Sequence, residues 1–441
     1  MTLFGGIFMF RLVRRIRLLV ILLIAALLLC LCQASKIYQK EESSEVPVYA
    51  TSSSYEACHP TRMQAMWLSQ FDLCPMLTEN GQARQKEDFT ARIHIALENV
   101  TQNGINTLFV QLRPNGDSLY PSELFPSSAY AVGKTGTAFG YDPFAILLEL
   151  AHEKGLSVHG WINPLRLFSE SQRKELTGEY RHLGWCEAND GRAVLVGGTW
   201  YLNPAYEEVR ALVAQGVFEI LSLYPVDGIH IDDYFYPTTD PSFDGDTYLR
   251  YTQSGGTLSL DAFRRDAVNQ LIRRLYDTVH SFGGNRVFGV SPSGNNQRNY
   301  EELYADVAYW CSRKGYVDYL CPQIYFGMEH GSHDFVSVAL QFDGMIQADG
   351  IQLYIGMTLE KAYKGFYGEE DPYAGSGKRE WIARRDVLAR CLEATDRLKH
   401  KNGVAFFSYQ CLFSPYNGIS AEATEEEWKN LLPLLLTREK K

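Results

Sequence analysis

Two adjacent acidic residues, Asp232 and Asp233, are the side chains in this sequence best suited to chemistry. They lie at the end of the segment 226–233, in which apolar and polar residues alternate as in a β-strand. Because strand side chains alternate in direction, Asp232 is predicted to share a side with His230, opposite the isoleucines. When two carboxyl groups differ in protonation, one can protonate a leaving oxygen while the other attacks carbon or activates water. The end of this strand is therefore the candidate catalytic centre.

The partner of Asp232 in such a pair has two candidates. On a regular strand Asp233 would point away from Asp232, so it can serve only if the strand breaks there. Otherwise the second carboxylate comes from elsewhere, and Glu360, which follows a later predicted strand, is the best outside candidate. The candidate catalytic residues are therefore Asp232, Asp233 and Glu360.

Further polar and aromatic residues lie near the ends of other predicted strands, at alternate positions that should place their side chains on the same face of each strand. Asn and Gln side chains can bind hydroxyl groups, and Trp and Tyr rings can stack on the apolar face of a sugar. Each such residue, taken alone, could instead belong to the core or to a loop. The predicted substrate-binding residues are Gln111, Arg113, Trp161, Asn163, His230, Tyr234, Tyr236, Gln323 and Tyr325.

Competing chemistries find less support in the sequence. No G-x-G-x-x-G, G-x-S-x-G or H-E-x-x-H motif occurs. His230 with Asp232 could ligate a metal, and Asp240, Asp244 and Asp246 could hold calcium, but acid-rich loops are usually just solvated. The interpretation therefore includes no metal and no cofactor.

The elements that would position these residues alternate between strand and helix patterns to the end of the chain. Eight strands, each followed by a helix, predict a single (β/α)₈ TIM barrel with parallel strands. The predicted strands span 66–69, 105–112, 156–162, 226–232, 286–291, 317–325, 351–358 and 404–409. The predicted helices span 86–102, 142–154, 204–222, 258–281, 300–313, 335–348, 381–400 and 423–436.

The connections between these elements indicate one functional face. Links from helix to strand are short and contain breakers such as Gly104, Gly155 and Gly350, which suit the left-handed end of a helix. Several links from strand to helix are long, and they cover about 114–141, 163–203, 233–257 and 359–380. In a barrel these loops surround the C-terminal mouth, where ligands bind. The candidate residues are therefore expected in a cleft walled by long loops.

The N-terminal region has the pattern of a targeting segment. Residues 1–34 combine a basic stretch, Arg11 to Arg17, with the apolar run 18–32, as in a signal peptide or a membrane anchor. Residues 35–60 are predicted to be a linker, and residues 61–441 the TIM-barrel domain. We therefore expect a protein that is secreted, or anchored on the outer side of the cytoplasmic membrane through residues 18–32.

Charge and cysteine content narrow the classes of partner and site. The net charge of −10 argues against nucleic acid as a partner, since an acidic surface repels phosphate backbones. Two of the nine cysteines fall in the leader, and the others are dispersed without a C-x-x-C pair. This spacing excludes a zinc ribbon and argues against a disulfide framework.

A series of motifs in order along the chain carries a family resemblance. They are Val110-Gln111-Leu112-Arg113-Pro114, Tyr141-Asp142-Pro143, Trp161-Ile162-Asn163-Pro164, the stretch 226–237, Arg264-Arg265-Asp266, the stretch 288–294, and Tyr319-Leu320-Cys321-Pro322-Gln323-Ile324-Tyr325. Together they resemble the glycosyl hydrolase-like 10 family of bacterial exported proteins. The resemblance implies a TIM-barrel hydrolase of a polysaccharide such as a cell-wall glycan. It also implies site roles for Asp232, Asp233, Arg113, Asn163, His230, Gln323 and Tyr325.

Two functional hypotheses follow. The first is an exported glycoside hydrolase that cleaves a bacterial cell-wall glycan such as peptidoglycan, with Asp232 and Asp233 in the acid, base or nucleophile roles. The second is a glycan-binding barrel without catalysis, tethered at the cell envelope. Carboxyl groups that point into the barrel favour the hydrolase, because their burial costs free energy that a binding module has no reason to expend.

Overall fold

The computed structural model describes residues 55–413 and 422–438. The predicted leader and most of the predicted linker lie outside the described residues. The strands are β1 (Met63–Leu68), β2 (Thr78–Glu79), β3 (Gln82–Ala83), β4 (Thr107–Arg113), β5 (Ser157–Ile162), β6 (Arg166–Ser169), β7 (Ala193–Val196), β8 (Thr199–Leu202), β9 (Gly228–Ile231), β10 (Val287–Val290), β11 (Tyr319–Leu320), β12 (Gln352–Thr358) and β13 (Lys401–Phe407).

The α-helices precede, connect and follow these strands. They are α1 (Gln70–Leu77), α2 (Lys86–Gln102), α3 (Ala129–Val132), α4 (Pro143–Glu153), α5 (Glu170–Glu175), α6 (Arg181–Ala188), α7 (Glu207–Leu223), α8 (Gly245–Gln253), α9 (Leu260–Ser281), α10 (Asn296–Glu301), α11 (Val307–Cys311), α12 (Phe335–Met345), α13 (Glu360–Phe366), α14 (Glu380–Ala383), α15 (Val387–Ala394), α16 (Gln410–Phe413) and α17 (Glu422–Arg438). Among the described residues, no helix is both long and apolar enough to cross a membrane.

Eight strands close into a parallel barrel, as the alternation of strands and helices predicts. The order around the barrel is β1, β13, β12, β11, β10, β9, β5 and β4, and each neighbouring pair is parallel. The strands are buried on both faces between the barrel interior and the surrounding helices. The TIM-barrel prediction is therefore confirmed.

Three predicted elements are shorter or more broken than expected. The predicted helix 300–313 is two short helices, α10 and α11, because Tyr304 between them has a φ of 54°. The predicted helix 381–400 breaks at Arg384, whose backbone is extended. The predicted strand 317–325 is reduced to the two residues of β11, because Pro322 has no N–H to continue the hydrogen bonds between strands. Gln323 beyond it still forms isolated bridges to Ser293 and Gly356.

The long predicted loop 163–203 contains secondary structure of its own. Its strands form an antiparallel sheet in the order β6, β8, β7, and the helices α5 and α6 lie between β6 and β7. Each strand is four residues long, too short for its alternation to stand out in the sequence. This small sheet stands beside the mouth of the barrel and forms part of its wall.

The interior of the barrel is filled by aromatic side chains. Phe109 stacks on His230 with ring centroids 4.1 Å apart, and the Tyr319 ring contacts the rings of both His230 and His159. Trp67 donates a hydrogen bond from Nε1 to Nε2 of His230, and the His230 and His159 Nδ1 atoms both contact the Tyr319 hydroxyl, at 3.0 and 2.9 Å. The barrel is thus a packed core, and a ligand can enter only above it.

Asp227, which immediately precedes β9, connects several segments at the closed end of the barrel. Its carboxylate accepts hydrogen bonds from the Tyr55 hydroxyl and from the backbone N–H groups of Cys58 and Val158, each 2.7 Å long. The His152 ring contacts the same carboxylate at 3.1 Å. The first described residues of the chain are therefore attached at the end of the barrel opposite the mouth.

A buried ion pair shapes the loop that follows the candidate aspartates. The Arg264 guanidinium contacts Asp244, and both side chains are fully buried. The same guanidinium donates to the carbonyl oxygens of Thr239 and Asp240. Asp244, considered above for calcium, is thus engaged by an arginine. Within the described part of the chain, no three His, Cys, Asp or Glu side chains form a metal-binding cluster.

Candidate active site

A cleft of about 300 Å³ opens at the C-terminal ends of the barrel strands. Its floor consists of residues at the strand ends, namely Trp67, Gln111, Trp161, Asn163, Asp232, Asp233, Gln323, Tyr325 and Phe407. Its walls consist of loop residues, namely Ser69, Gln70, Phe71, Pro114, Asn115, Tyr130, Arg166, Leu167, Ser169, Gln172, Thr199 and Tyr234. Eight of the twelve residues predicted for the site therefore meet in one cavity.

Asp232 lies at the base of this cleft and is almost completely buried. Its Oδ2 accepts a hydrogen bond of 3.1 Å from Trp161 Nε1, and its Oδ1 accepts one of 3.3 Å from the backbone N–H of Tyr234. Burial raises the pKa of Asp232 well above its usual range, and the neighbouring Asp233 raises this pKa further. The two hydrogen bonds oppose this rise but do not cancel it.

Asp233 lines the same cleft because the strand ends before it. Strand β9 stops at Ile231, and the Asp233 carbonyl accepts a hydrogen bond of 2.9 Å from Phe235 N–H, so the chain turns at this point. Gln323 Nε2 donates to Asp233 Oδ1 over 3.3 Å, and Arg298 Nη1 lies 4.0 Å from Oδ2. The strand break that the sequence requires for a paired role is therefore present.

The surroundings of the two carboxyl groups differ in a chemically useful way. Burial raises the pKa of Asp233 too, but the Arg298 guanidinium and the Gln323 amide oppose that rise. Among the described residues, no cation is a leading influence on the pKa of Asp232, and the charge of Asp233 disfavours its ionisation. When the pair carries one proton, the proton is therefore favoured on Asp232, and Asp233 is the ionised partner.

Amide side chains form a connected network at the ends of the strands beside the aspartates, since β5 neighbours β9 and β4 neighbours β5. Gln111 Nε2 donates to Asn163 Oδ1 over 2.8 Å, and Gln111 Oε1 accepts from the backbone N–H of Gln70 over 2.7 Å. Asn115 Nδ2 donates to Gln70 Oε1 over 3.0 Å. These bonds fix the amide orientations, so their remaining donors and acceptors face the cleft in set positions.

Several cleft residues were not predicted from the sequence. Trp67 is the next-to-last residue of β1, and Gln70 begins α1 just after it, so their position at the end of a strand was a usable signal. Arg166 comes from the small antiparallel sheet, and its guanidinium lies 5.0 Å from the Tyr234 ring centre. Its Nε is buried without a hydrogen-bond partner among the described residues. Nothing in the sequence alone places this arginine beside Tyr234, because that proximity depends on how the loop folds.

Arg113 does not lie in the cleft, and the expectation that it shares a face with Gln111 is wrong. Strand β4 has an irregularity at this point, since Gln111 pairs with Trp161 but Arg113 pairs with Ile162. The extra residue turns Arg113 outward, where its guanidinium lies 4.5 Å from the Phe125 ring centre and against Gly216 of α7. Arg113 is thus buried between the barrel wall and the outer helices.

Three other predicted site residues also lie outside the lining of the cleft. His230 is in the packed interior beneath it, and burial lowers its pKa well below the usual range, so the ring is neutral. Tyr236 is buried against Phe243 and Arg264 in the following loop. Glu360, at the start of α13, is exposed and forms an ion pair of 2.6 Å with Lys364. The sequence places each of them near a strand end but does not show which way its side chain turns.

Sequence comparison identifies a family and its relatives. The model of the family described as glycosyl hydrolase-like 10 matches residues 62–373. Glycosyl hydrolase DigH of Escherichia coli O6:H1 is 30% identical over 443 residues, which cover 92% of this chain and 96% of that protein. Glycosyl hydrolase YngK of Bacillus subtilis (strain 168) is 30% identical over 325 residues, covering 69% of this chain and 61% of that protein.

Solved structures with the same architecture are much more distant in sequence. The glycoside hydrolase domain of PgaB from Bordetella bronchiseptica aligns with a TM-score of 0.51 at 11% identity, over 85% of this chain and 99% of that one. Alpha-L-fucosidase isoenzyme 2 from Paenibacillus thiaminolyticus aligns with a TM-score of 0.51 at 12% identity, over 86% of this chain and 50% of that one. These alignments support the barrel fold alone.

Proposed function

Because this chain belongs to the glycosyl hydrolase-like 10 family, we propose that it is an exported glycoside hydrolase of a polysaccharide, with a bacterial cell-wall glycan as substrate. Asp232 is the acid that protonates the leaving oxygen, and Asp233 is the ionised group that acts beside it. The single observation that carries the proposal is the presence of both carboxyl groups in one cleft, with a cation and an amide beside Asp233 that oppose the rise of its pKa.

The remaining lining suits a carbohydrate. Sugar rings have hydroxyl edges and apolar faces, and the cleft offers both amide groups and aromatic rings. Gln111, Asn163 and Gln323 supply the amides, and Trp161 and Tyr325 supply rings near the aspartates. This mixture supports binding of a pyranose at the base of the cleft.

Export and a cell-wall substrate are supported by the leader pattern and by the family. An apolar run after a basic stretch directs a chain out of the cytoplasm. The polysaccharide that such a protein first meets in a bacterium is the glycan of the cell wall. Retention of the leader as an anchor would place the barrel at the outer side of the cytoplasmic membrane, where that glycan lies.

The test is a glycan panel with the purified chain and two matched variants. The panel contains peptidoglycan strands with and without stem peptides, chitin oligosaccharides and a β-glucan. The variant Asp232→Asn removes the acid, and Asp349→Asn makes the same substitution at an exposed position between α12 and β12. New reducing ends and product masses report cleavage, and co-sedimentation with insoluble glycan reports binding.

We expect cleavage by the parent chain and by Asp349→Asn, and loss of cleavage with retained binding in Asp232→Asn. Binding by all three proteins without cleavage of any glycan would instead establish the alternative, a non-catalytic glycan-binding barrel. Equal cleavage by the parent chain and Asp232→Asn would place the reacting groups elsewhere.

A further inference from the structure

Both carboxyl groups of the cleft come from one wall. Asp232 and Asp233 are consecutive residues after β9, and consecutive Cα atoms are about 3.8 Å apart. No other Asp or Glu lines the cleft among the described residues; the other lining groups are amides, hydroxyls, rings and Arg166. The rest of the described lining therefore offers donors and acceptors of hydrogen bonds but no further negative charge.

This one-sided arrangement does not suit the usual two-carboxylate mechanisms. In those mechanisms one carboxyl group protonates the glycosidic oxygen while the other acts on the opposite face of the sugar, directly or through water, at separations of about 5 to 9.5 Å. Because both side chains follow the end of one strand, they reach the sugar from the β9 side of the cleft. This placement suits an acid and a neighbouring acceptor, and no carboxyl group among the described lining residues comes from another strand to act on the far face of the sugar.

The other acidic side chains near the mouth do not supply the missing nucleophile. Glu360 is exposed and paired with Lys364, outside the lining of the cleft. Asp72 is buried below the mouth, and its carboxylate accepts hydrogen bonds from Ser69, Ser408 and the backbone N–H of Gln410. Its lone pairs are already used, so it has no access to a sugar carbon.

We propose that the substrate itself supplies the nucleophile, and that the sugar bound at the base of the cleft carries a 2-acetamido group. This inference rests on the proposed function and narrows its substrate to glycans of N-acetylated amino sugars. Asp232 protonates the leaving oxygen, and Asp233 accepts the N–H of the acetamido group.

The steps balance without any further reagent. The acetamido carbonyl oxygen forms a bond to the anomeric carbon as the glycosidic C–O bond breaks, and the proton of Asp232 passes to the departing oxygen. The product is an oxazolinium ion, whose N–H donates to the carboxylate of Asp233. Water then adds to the anomeric carbon, gives a proton back to Asp232, and the ring opens to restore the acetamido group. Each of the two attacks, first by the acetamido oxygen and then by water, inverts the anomeric carbon. The overall reaction therefore retains the anomeric configuration.

The environment of Asp233 fits the acceptor role. Gln323 Nε2 donates to Oδ1 and Arg298 lies 4.0 Å from Oδ2, which leaves further lone pairs of this carboxyl group available in the cleft. Trp67, Trp161 and Phe407 line the same cavity and provide an apolar surface for the methyl group of the acetamide. Such a methyl group would otherwise remain in contact with water.

The experiment uses peptidoglycan strands freed of stem peptides, prepared in four matched forms. One form is untouched, one is de-N-acetylated, one is de-N-acetylated and then re-N-acetylated, and one is de-N-acetylated and then N-trifluoroacetylated. The trifluoroacetyl group has nearly the shape of the acetyl group, but its carbonyl oxygen is a much weaker nucleophile. It therefore separates a chemical role of the amide from a role in binding.

We expect retention of configuration, and a loss of cleavage rate of at least about 100-fold on de-N-acetylation, because the reaction loses an intramolecular nucleophile. Re-N-acetylation should restore the rate, and trifluoroacetylation should lower kcat with little change in KM. Inversion of configuration, or equal kcat on the acetylated and trifluoroacetylated strands, would overturn this inference while leaving a glycoside hydrolase. Failure to cleave any glycan, including those of the wider panel, would overturn the proposed function itself.

Discussion

The Trp161 indole donates a hydrogen bond of 3.1 Å from Nε1 to Oδ2 of Asp232, across the neighbouring strands β5 and β9. The donor favours the ionised form of a carboxyl group whose ionisation burial and Asp233 disfavour. Trp161 thus limits how far the pKa of Asp232 rises, and this relationship makes the basic side of the pH profile sensitive to one indole nitrogen.

Replacing this donor should move the basic limb of the activity profile upward. Trp161→Phe keeps an aromatic ring but removes the hydrogen bond, and a bond to a charged group is worth about 1.5 to 3 kcal/mol. The pKa of Asp232 should then rise further, so activity persists to higher pH. The pH dependence of kcat/KM measures this. Trp67→Phe is the control, since Trp67 Nε1 bonds to His230 instead. Equal shifts in both variants would contradict the assignment.

Arg298 should control the acidic limb of the same profile. Its guanidinium lowers the pKa of Asp233, so Arg298→Gln raises that pKa, and Asp233 becomes protonated at a higher pH. Because the arginine is half exposed, the expected shift of the acidic limb is small and shrinks in high salt. Arg298→Lys should keep most of the parent profile. An acidic limb that stays in place in Arg298→Gln would show that Asp233 is not the group titrating there.

The two aspartates should respond differently to the leaving group. Asp232→Asn should lower cleavage of natural glycans by about 10² to 10⁴-fold, the usual worth of a general acid. It should spare the 2,4-dinitrophenyl glycoside of the cleaved oligosaccharide, since this group departs without a proton. Asp233→Asn should slow both substrates, because the acceptor acts on the sugar. Steady-state kinetics on both substrates measure this, and identical losses in the two variants would contradict the division of roles.

Glu360→Gln tests the residue that the sequence offers as an alternative second carboxylate. Its side chain is exposed, pairs with Lys364 and lies outside the lining of the cleft, so we expect kcat/KM to change by less than about twofold. Lys364→Gln breaks the same ion pair and should behave alike. A loss of 100-fold or more in Glu360→Gln alone would make Glu360 the missing nucleophile, and would remove the need for an acetamido group.

A buried glutamate in the last helix should make stability depend on pH. Glu427 accepts a hydrogen bond of 2.5 Å from Leu388 N–H, and burial raises its pKa to about 7 from 4.5. A raised pKa stabilises the fold below about pH 4.5, and this stability is lost as the pH rises through 7.

Glu427→Gln keeps an acceptor for Leu388 and removes the titration. At pH 8 it should therefore increase the free energy of unfolding by about 1 to 3 kcal/mol, with no gain at pH 4.5. Urea unfolding at the two pH values measures this, and Glu426→Gln on the exposed face of α17 is the matched control. A pH dependence that is the same in the Glu427 variant and its parent would contradict the prediction.

Much of the fold follows from the alternation of strand and helix patterns along the sequence. The centre of the site follows from the alternating direction of side chains along a strand. Helix α2 spans Lys86–Gln102, the range predicted from its apolar spacing. The position of Asp232 in the cleft follows from the direction in which its side chain points at the end of a regular strand. Asp233 reaches the cleft because the strand ends before it. These features depend on local sequence, which determines where a strand runs and which side its residues face.

Other parts of the site depend on features that no local pattern reveals. One extra residue in β4 turns Arg113 to the outside, because a shift of a single position reverses the face of every later side chain. Arg166 reaches the cleft only because the loop after β5 folds into a sheet of four-residue strands. Glu360 begins α13, so the direction of its side chain is set by that helix and by the ion pair with Lys364. The alternating side-chain directions of the preceding strand do not extend to it.

The contacts of Asp227 with Tyr55 and Cys58 give the molecule a polarity. Residues 55–58 lie at one pole of the barrel, and the cleft opens at the other. A long glycan strand could therefore cross the mouth without meeting this segment of the chain.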